Sequence, residues 1–135
     1  MNKHPEILAI KSDKSELEKV EKFLFQIFEK EELPKECFNK VYLCISEAVI
    51  NSIEHGNKND KEKQVDIQIN CMKGNVCIEV HDEGEGFDFS MVEDPTQKSN
   101  IKKETGRGIH IMKSLCSKVE FRNQGKSVAI KIDLK

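Results

Sequence analysis

The sequence predicts an α+β two-layer sandwich, in which a mixed, mostly antiparallel sheet carries helices on one face. Two stretches of the N-terminal half place apolar residues at helical spacing, whereas residues 65–80 and the C-terminal residues alternate apolar with polar side chains. Glycine-containing turns separate the alternating stretches, as they do in β-hairpins. The length of 135 residues fits a single domain over residues 1–135.

A short apolar run at Ile7–Lys11 predicts the first strand, and an amphipathic helix follows it over residues 13–30. Asp13 and Glu16 have the spacing of a capping box, in which two side chains satisfy free backbone N–H groups at a helix start. The apolar residues of this helix recur every three or four positions. They are Leu17, Val20, Leu24, Ile27 and Phe28.

A second helix is predicted from Pro34, which suits the first turn of a helix, to Gly56, which suits its end. Its apolar face consists of Phe38, Val41, Tyr42, Ile45, Val49 and Ile53. The charged segment NKNDKEK at residues 57–63 comes next, and its composition predicts a turn that is exposed to solvent.

The rest of the chain predicts two hairpins, separated by a long loop and a further helix. A helix is expected from about Gly108. Strands are expected at Val65–Ile69, Val76–Val80, Val119–Arg122 and Val128–Leu134. Residues 87–105 are polar and contain one proline, and a loop of this length is typical of a functional lid or a disordered segment.

Composition argues against several classes of function. The net charge is -2 and no basic stripe is visible, so we expect no direct nucleic-acid binding. The five cysteines have no Cys-x-x-Cys spacing, so we expect reduced structural thiols rather than a zinc cluster or a redox motif. The sequence shows no signal peptide and no membrane-length apolar run, and we therefore expect a soluble, cytoplasmic protein without membrane contact.

One flank of the second helix is polar in an unusual way. In the segment EAVINSIEHG, Glu47, Asn51 and His55 are spaced i, i+4, i+8 and therefore align along the side opposite the apolar face. Glu54 lies beside this row, and we expect it to be exposed to solvent. Two interpretations remain open at this point, a solvent-exposed face or one wall of a binding site.

Two glycine-rich segments accompany this helix. In DEGEGFD, Asp82 stands at a strand end, and Gly84 and Gly86 let the backbone turn sharply and approach a ligand. A carboxylate there can accept a hydrogen bond from an amino group such as that of adenine. TGRG, at residues 105–108, stands at a helix start, where free N–H groups suit a phosphate. Taken singly, each segment is also compatible with an ordinary turn or loop-to-helix junction.

Together, the three segments resemble a known family. The order E-x-x-x-N, D-x-G-x-G and T-G-R-G, with a long loop between the last two, is similar to the GHKL family, the histidine-kinase-like ATPases. The segments CISEAVINSIEHG, VHDEGEGFD and TGRGIHIMKSL resemble more closely the stand-alone anti-sigma-factor serine/threonine kinases. The resemblance covers residues 8–134 and implies the histidine-kinase-like ATPase fold, with ATP and Mg²⁺ as cofactors.

The resemblance implies roles for the helix flank and the first glycine segment. Glu47 would be the general base for the attacking hydroxyl, and Asn51 would bind ATP and ligate Mg²⁺. One helical turn separates these two residues, so base and metal would lie beside each other. Asp82 would bind the adenine amine, while Gly84 and Gly86 would shape the purine pocket.

The resemblance also implies nucleotide contacts further along the chain. Those expected to close on the phosphates are Thr105, Gly106, Arg107 and Gly108. Ser127 would support Asp82 with a hydrogen bond, and His55 would be either a ligand contact or a satisfied histidine at the helix end. Some relatives have an arginine just before the second glycine segment, where this chain has Lys102, Lys103 and Glu104. The neutralisation of the terminal phosphate is therefore assigned to Arg107 or to a lysine of the lid, or it is weak.

Three functions are compatible with these residues. The resemblance implies an ATP-dependent protein serine/threonine kinase that phosphorylates an anti-sigma-factor antagonist, sequesters a sigma factor and forms a homodimer. The alternative is a non-catalytic, ATP-dependent protein-binding switch, in which the lid orders on nucleotide binding. The presence of Glu47 favours the kinase, because a switch needs no base beside the metal. The third function is that of a structural α+β protein in which the three segments occur by chance.

Overall fold

The structure, a computed structural model, describes residues 5–84, 110–122 and 126–134 of the chain. The strands are β1 (Glu6–Lys11), β2 (Gln64–Met72), β3 (Asn75–Asp82), β4 (Lys118–Arg122) and β5 (Ser127–Asp133). The helices are α1 (Leu17–Lys30) and α2 (Phe38–Asn51), and residues 110–115 are also helical. The predicted lid and the helix start near Gly108 lie outside the described residues.

The strands form one sheet in the order β1-β2-β3-β5-β4, and all four pairings are antiparallel. The mixed sheet that we expected is therefore antiparallel throughout the described residues. The β2–β3 hairpin turns at Gly74, whose φ of 81° is a left-handed conformation that favours glycine. This confirms the hairpin that the alternating sequence pattern predicts.

The register of the hairpin places one row of side chains towards the helices. Ile67 pairs with Val80 and Ile69 with Ile78, and residues directly opposite each other in an antiparallel pair share a face. Asp82 is the partner of Val65, a fully buried residue. The carboxylate at the end of β3 therefore lies on the helix-covered face of the sheet, at the margin of the core.

Both helices bury an apolar stripe against this face, as the α+β prediction required. The buried residues of α1 are Val20, Leu24, Ile27 and Phe28. Those of α2 are Val41, Cys44, Ile45, Ala48, Val49 and Asn51. Truncating a fully buried leucine or isoleucine, such as Ile45 of α2, to alanine in such a core costs about 2–5 kcal/mol, so this packing holds α2 in place over the sheet.

The predicted capping box before α1 forms only in part, and a short 3₁₀ turn, Lys14–Glu16, is inserted there. The N–H of Asp13 donates to the carbonyl of Lys11 at 2.8 Å and not to Glu16. The Asp13 carboxylate accepts a hydrogen bond from the N–H of Ser15 at 3.0 Å, and Glu16 Oε1 accepts one from the N–H of Lys11 at 3.2 Å. The contact of Glu16 with Lys11 joins the start of α1 to the end of β1. No helix within the described residues is long and apolar enough to cross a membrane.

Candidate functional site

The second helix changes its winding at Ser52, so the prediction of one regular helix up to Gly56 was wrong in the last turn. Residues Ser52–Gly56 form a π-helical turn, in which the N–H of Asn57 donates to the carbonyl of Ser52 at 2.7 Å. π-Turns inside helices are rare and frequently occur at functional sites. This turn carries the end of the helix into contact with the end of β3.

Gly56 packs directly on the side chain of Asp82. A Cβ atom at position 56 would overlap the Asp82 carboxylate, and one at Gly84 would overlap the backbone carbonyl of Gly56. Both glycines are therefore required by close packing and not by a positive φ. Gly84 was predicted to line the site, whereas Gly56 was expected only to end the helix, since a helix-ending glycine carries no sequence signal for such a contact.

One oxygen of the Asp82 carboxylate accepts a hydrogen bond, whereas the other has no partner in the part of the chain that the structure describes. Its Oδ1 accepts a hydrogen bond from the N–H of Gly84 at 2.8 Å. Its Oδ2 is buried and has no hydrogen-bond partner among the described residues. Burial raises the pKa of this carboxyl above its usual value, while the Gly84 N–H opposes that rise. A buried, unpaired acceptor of this kind is suited to an amino group of a ligand.

Asn51, at the end of α2, is a second buried acceptor of the same kind. The residue is 8% exposed, and its Oδ1 has no hydrogen-bond partner among the described residues. An unpaired amide oxygen that is shielded from water costs free energy unless a ligand satisfies it. Amide oxygens are among the hard ligands that Mg²⁺ accepts. Asn51 therefore fits the predicted metal contact.

Glu47 lies one helical turn before Asn51 and is half-buried. Burial raises the pKa of its carboxyl, and the negative charge of Glu54 raises it further. A carboxylate with a raised pKa is a stronger proton acceptor, which suits the predicted role of a general base. The flank of α2 is thus not the solvent-exposed face that one of our two interpretations required.

Glu54 and His55 follow on the π-turn, and both side chains are largely buried. Glu54 is 18% exposed and forms an ion pair with Lys14, so the expectation that Glu54 is exposed to solvent was wrong. The His55 ring lies 3.8 Å from Glu54 Oε1 and is 16% exposed. The ion pair of Glu54 with Lys14 ties the site end of α2 to the 3₁₀ turn before α1.

Asn57 is a structural residue of the site that the sequence analysis missed. The segment NKNDKEK was expected to be a solvent-exposed turn, yet Asn57 is fully buried. Its Nδ2 donates to Ser12 Oγ at 3.2 Å and to the Gln64 carbonyl at 3.1 Å, and its Oδ1 accepts from the N–H of Glu83 at 2.9 Å. The sequence offers no signal for this, because exposed Asn59 stands in the same charged surroundings.

The structure does not bring Ser127 to the Asp82 carboxylate. Ser127 is the register partner of His81, and its Oγ lies 2.7 Å from His81 Nδ1. Successive strand residues point to opposite faces, so His81 and Asp82 face opposite sides of the sheet. The residue that meets Asp82 here is Lys126, just before β5, whose carbonyl accepts the N–H of Asp82 at 2.9 Å.

The remaining predicted contacts belong to the glycine-rich segments. Those that lie outside the described residues are Gly86, Thr105, Gly106, Arg107 and Gly108. Among the described residues, no group of three or more His, Cys, Asp or Glu side chains could hold a metal ion. A Mg²⁺ ion at Asn51 would therefore depend on phosphate oxygens and water for its other ligands, as Mg²⁺ sites on nucleotides usually do.

An antiparallel sheet covered by helices carries, where α2 meets β3, two buried acceptors that have no partner within the described ranges, an arrangement suited to a polar ligand. Residues 10–132 match the family model of the histidine kinase-like ATPase domain. The chain therefore belongs to the histidine kinase-like ATPase family, as its three motifs indicated.

Individual relatives agree with this family. The chain is 30% identical over 95 residues to the serine-protein kinase RsbW of Bacillus subtilis, covering 65% of this chain and 59% of that protein. It is 36% identical over 76 residues to the anti-sigma F factor of Clostridium botulinum (strain Eklund 17B / Type B), covering 55% of this chain and 53% of that protein. The chain thus spans less than two thirds of the length of these relatives.

A solved structure confirms the fold. The crystal structure of the RsbU and RsbW domains of a Mycobacterium tuberculosis protein superimposes with a TM-score of 0.65, at 16% identity. The match covers 96% of this chain and 32% of that chain. At this level of identity the likeness extends to the fold alone.

Proposed function

We propose that this protein is an ATP-dependent protein serine/threonine kinase that phosphorylates an anti-sigma-factor antagonist and sequesters a sigma factor. The observation that carries the proposal is the pair of buried acceptors, Asn51 Oδ1 and Asp82 Oδ2, that have no partner among the described residues. One suits a hard cation and the other an amino group, which are the two chemical ends of Mg·ATP. The similarity to a serine-protein kinase and an anti-sigma factor supports the choice of substrate class.

The adenine end of the nucleotide is assigned to the junction of α2 and β3. There Asp82 Oδ2 accepts a hydrogen bond from the exocyclic amine, while the Gly84 N–H holds Oδ1 and fixes the plane of the carboxylate. Gly56 and Gly84 leave no side chain that would move this carboxylate. A base without an exocyclic amine, such as hypoxanthine, leaves Asp82 Oδ2 unpaired, so adenine is favoured over such a base.

The phosphate end is assigned to the flank of α2. Asn51 would hold Mg²⁺ through Oδ1, and the ion would supply charge neutralisation of the phosphates. Glu47, one turn earlier, accepts the proton from the serine or threonine hydroxyl of the protein substrate. Its raised pKa, caused by burial and by Glu54, supports proton transfer and favours the kinase over a switch without catalysis. The phosphate contacts proposed from the second glycine segment are Thr105, Gly106, Arg107 and Gly108.

The proposal includes a homodimer and a cytoplasmic location, where sigma factors and ATP are found. Ile7 on β1, which pairs only with β2 among the described strands, is 64% exposed, and Phe25 on α1 is 53% exposed. Exposed apolar side chains beside an edge strand support association with a second copy.

The experiment that tests the proposal separates binding from transfer. Candidate antagonists are recovered by pull-down from the native cell with and without ATP, and the purified pair is incubated with labelled ATP. We expect Glu47→Gln to bind Mg·ATP like the wild type but to label the antagonist about 100-fold more slowly or worse. Ser46→Ala, at the neighbouring position of α2, is the matched control and should label normally.

Asn51→Ala tests the metal contact in the same assay. We expect it to lose most of the stabilisation that Mg·ATP gives the wild type in thermal unfolding. If Glu47→Gln labels the antagonist at the wild-type rate, Glu47 is not the base. If the wild type binds ATP tightly and the recovered antagonist is never labelled, the kinase proposal is wrong and the switch is supported.

A further inference from the structure

Two cysteines that are 72 positions apart in the sequence lie side by side in the structure. The Sγ atoms of Cys44 and Cys116 are 3.2 Å apart. Cys44 is fully buried on α2, whereas Cys116 follows the helical residues 110–115 and is partly exposed. Both remain thiols. The sequence predicted scattered structural thiols, since spacing along the chain carries no information about this contact.

The other three cysteines lie elsewhere in the fold. Cys71 and Cys77 lie on paired strands, where Cys71 is the partner of Val76 and Cys77 the partner of Asn70. They therefore face opposite sides of the sheet and cannot meet. The Sγ atom of Cys37 lies 3.7 Å from the carbonyl of Leu134, a backbone group that forms no bond with sulfur on oxidation.

We propose that Cys44 and Cys116 form an oxidation site, at which a hydroperoxide converts the two thiols into a reversible disulfide. The sulfur atoms need to approach by only about 1 Å, because a disulfide bond is about 2.05 Å long. Cys116 lies in the connection between the helical residues 110–115 and β4, which is a part of the chain that can adjust its side chain more readily than the middle of α2 can.

The chemistry balances with hydrogen peroxide as the oxidant. The Cys116 thiol donates a hydrogen bond to Cys44 Sγ, which lowers the pKa of Cys44 and makes Cys44 the thiolate of the pair. The Cys44 sulfur attacks one peroxide oxygen, so that an S–O bond forms, the O–O bond breaks and water leaves with the thiol proton. The Cys116 sulfur then attacks the sulfenic sulfur of Cys44, the S–S bond forms, the S–O bond breaks, and a second water leaves with the Cys116 proton. Two thiols are oxidised by two electrons, and one peroxide is reduced to two waters.

The disulfide would join α2 to the chain segment that follows residues 110–115. Cys44 lies three residues before Glu47 on the same helix, so the cross-link is formed on the element that carries the candidate site. A cross-link over a loop of this length restricts the unfolded chain strongly. The oxidised protein is therefore more resistant to thermal unfolding than the reduced protein.

The test uses the full chain, reduced and then exposed to hydrogen peroxide. The protein is then unfolded in denaturant, and its remaining thiols are blocked with N-ethylmaleimide and counted by intact mass. We expect five adducts before oxidation, three after it and five again after dithiothreitol. Peptide mapping should find one linked pair, Cys44 with Cys116, and the melting temperature should rise by about 5–10 °C on oxidation.

Two variants make the outcome decisive. Cys116→Ser should keep four thiols after peroxide, while Cys77→Ser, on the opposite face of the sheet, should still lose two. Cys116 is partly exposed, so its replacement leaves the buried core intact even where replacement of Cys44 does not. Five adducts after peroxide, a different linked pair, oxygen addition without a cross-link, or an unchanged melting temperature would each overturn the proposal.

Discussion

Gly56 lies so close to Asp82 that a methyl group at position 56 would occupy the place of the Asp82 carboxylate. This contact joins the end of the helix that carries Glu47 and Asn51 to the end of the strand that carries Asp82. It depends on the π-turn Ser52–Gly56, which brings the glycine against β3. The relative position of the two buried acceptors therefore depends on Gly56, a residue without a side chain of its own.

Gly56→Ala should accordingly lose nucleotide binding. The added methyl group must displace the Asp82 side chain or the backbone, and we expect a loss of about 1–3 kcal/mol in the free energy of unfolding. We also expect Mg·ATP to raise the melting temperature of this variant little or not at all. Differential scanning fluorimetry with and without nucleotide measures both effects.

The control for Gly56→Ala is a variant that is destabilised elsewhere. Leu24→Ala opens a cavity in the buried stripe of α1 at a cost of about 2–5 kcal/mol, but it leaves the junction of α2 and β3 intact. It should keep the full nucleotide-induced shift. A Gly56→Ala protein that responds to Mg·ATP as strongly as Leu24→Ala does would contradict the role that we assign to Gly56.

Asp82→Asn should stabilise the protein without ligand at neutral pH and abolish its response to ATP. The pKa of Asp82 is raised by burial, so the folded protein binds this proton more tightly than the unfolded chain does. The contribution of Asp82 to stability is therefore fully present below the unfolded pKa and is lost as pH rises through the folded pKa. Replacing the carboxylate with an amide removes that loss.

The measurement is thermal unfolding of wild type and Asp82→Asn at several pH values. We expect the two melting temperatures to converge at acidic pH and the variant to become the more stable protein as pH rises to neutral, by about 5 °C at most. A variant that is less stable than wild type at neutral pH would show that the carboxylate contributes more through its hydrogen bond than it loses through burial of its charge.

Glu54→Gln should move the acidic limb of the pH–rate profile to lower pH. Glu54 raises the pKa of Glu47 through its negative charge, after burial as the larger cause. Without that charge the pKa of Glu47 falls, so the base stays ionised to a lower pH. The phosphotransfer rate is followed across the acidic range, and Glu21→Gln on the exposed side of α1 is the control. An unmoved limb in Glu54→Gln would exclude electrostatic coupling of the two carboxylates.

Asn57→Ala should destabilise the protein far more than Asn59→Ala. Asn57 is fully buried and makes three hydrogen bonds, whereas Asn59 is exposed. We expect a loss of about 2–4 kcal/mol for Asn57→Ala, because three backbone or hydroxyl groups lose their partner. Asn59 has a φ of 61°, a left-handed conformation that alanine adopts less readily, and its replacement should cost about 1 kcal/mol. Urea denaturation of the two variants measures the difference, and equal losses would contradict the structural role of Asn57.

Much of the fold could be predicted because it follows from short-range patterns. Helical spacing in α1 and α2 and alternation in β2 and β3 each depend on residues that are close along the chain, and burial then selects the face. The last turn of α2 was not predictable in this way. The π-turn at Ser52 has no distinct residue pattern, and its energy depends on the contact that Gly56 makes with β3.

The residues of the candidate site were likewise predictable where they depend on local spacing and not where they depend on contacts between distant segments. Glu47 and Asn51 share a flank of one helix, so their spacing along the chain indicated that they lie together. Ser127 was assigned to Asp82 through the family resemblance, but the β3–β5 register pairs it with His81. A shift of one residue in the strand register moves a side chain to the other face of the sheet. The register is decided by pairing between segments that are distant along the chain.

The sequence by itself determined the α+β class, the two helices, the hairpin and the residue types of the nucleotide motifs, since these depend on local spacing and on chemistry that each side chain carries with it. Only the tertiary structure decided which acceptor oxygens are buried without a partner among the described residues. It also decided that Asn57 bonds to Ser12, Gln64 and Glu83, and that Cys44 contacts Cys116. The physical reason is that burial, pKa and contact are properties of packing. They are set by segments far apart in the chain, whose meeting no local pattern can specify.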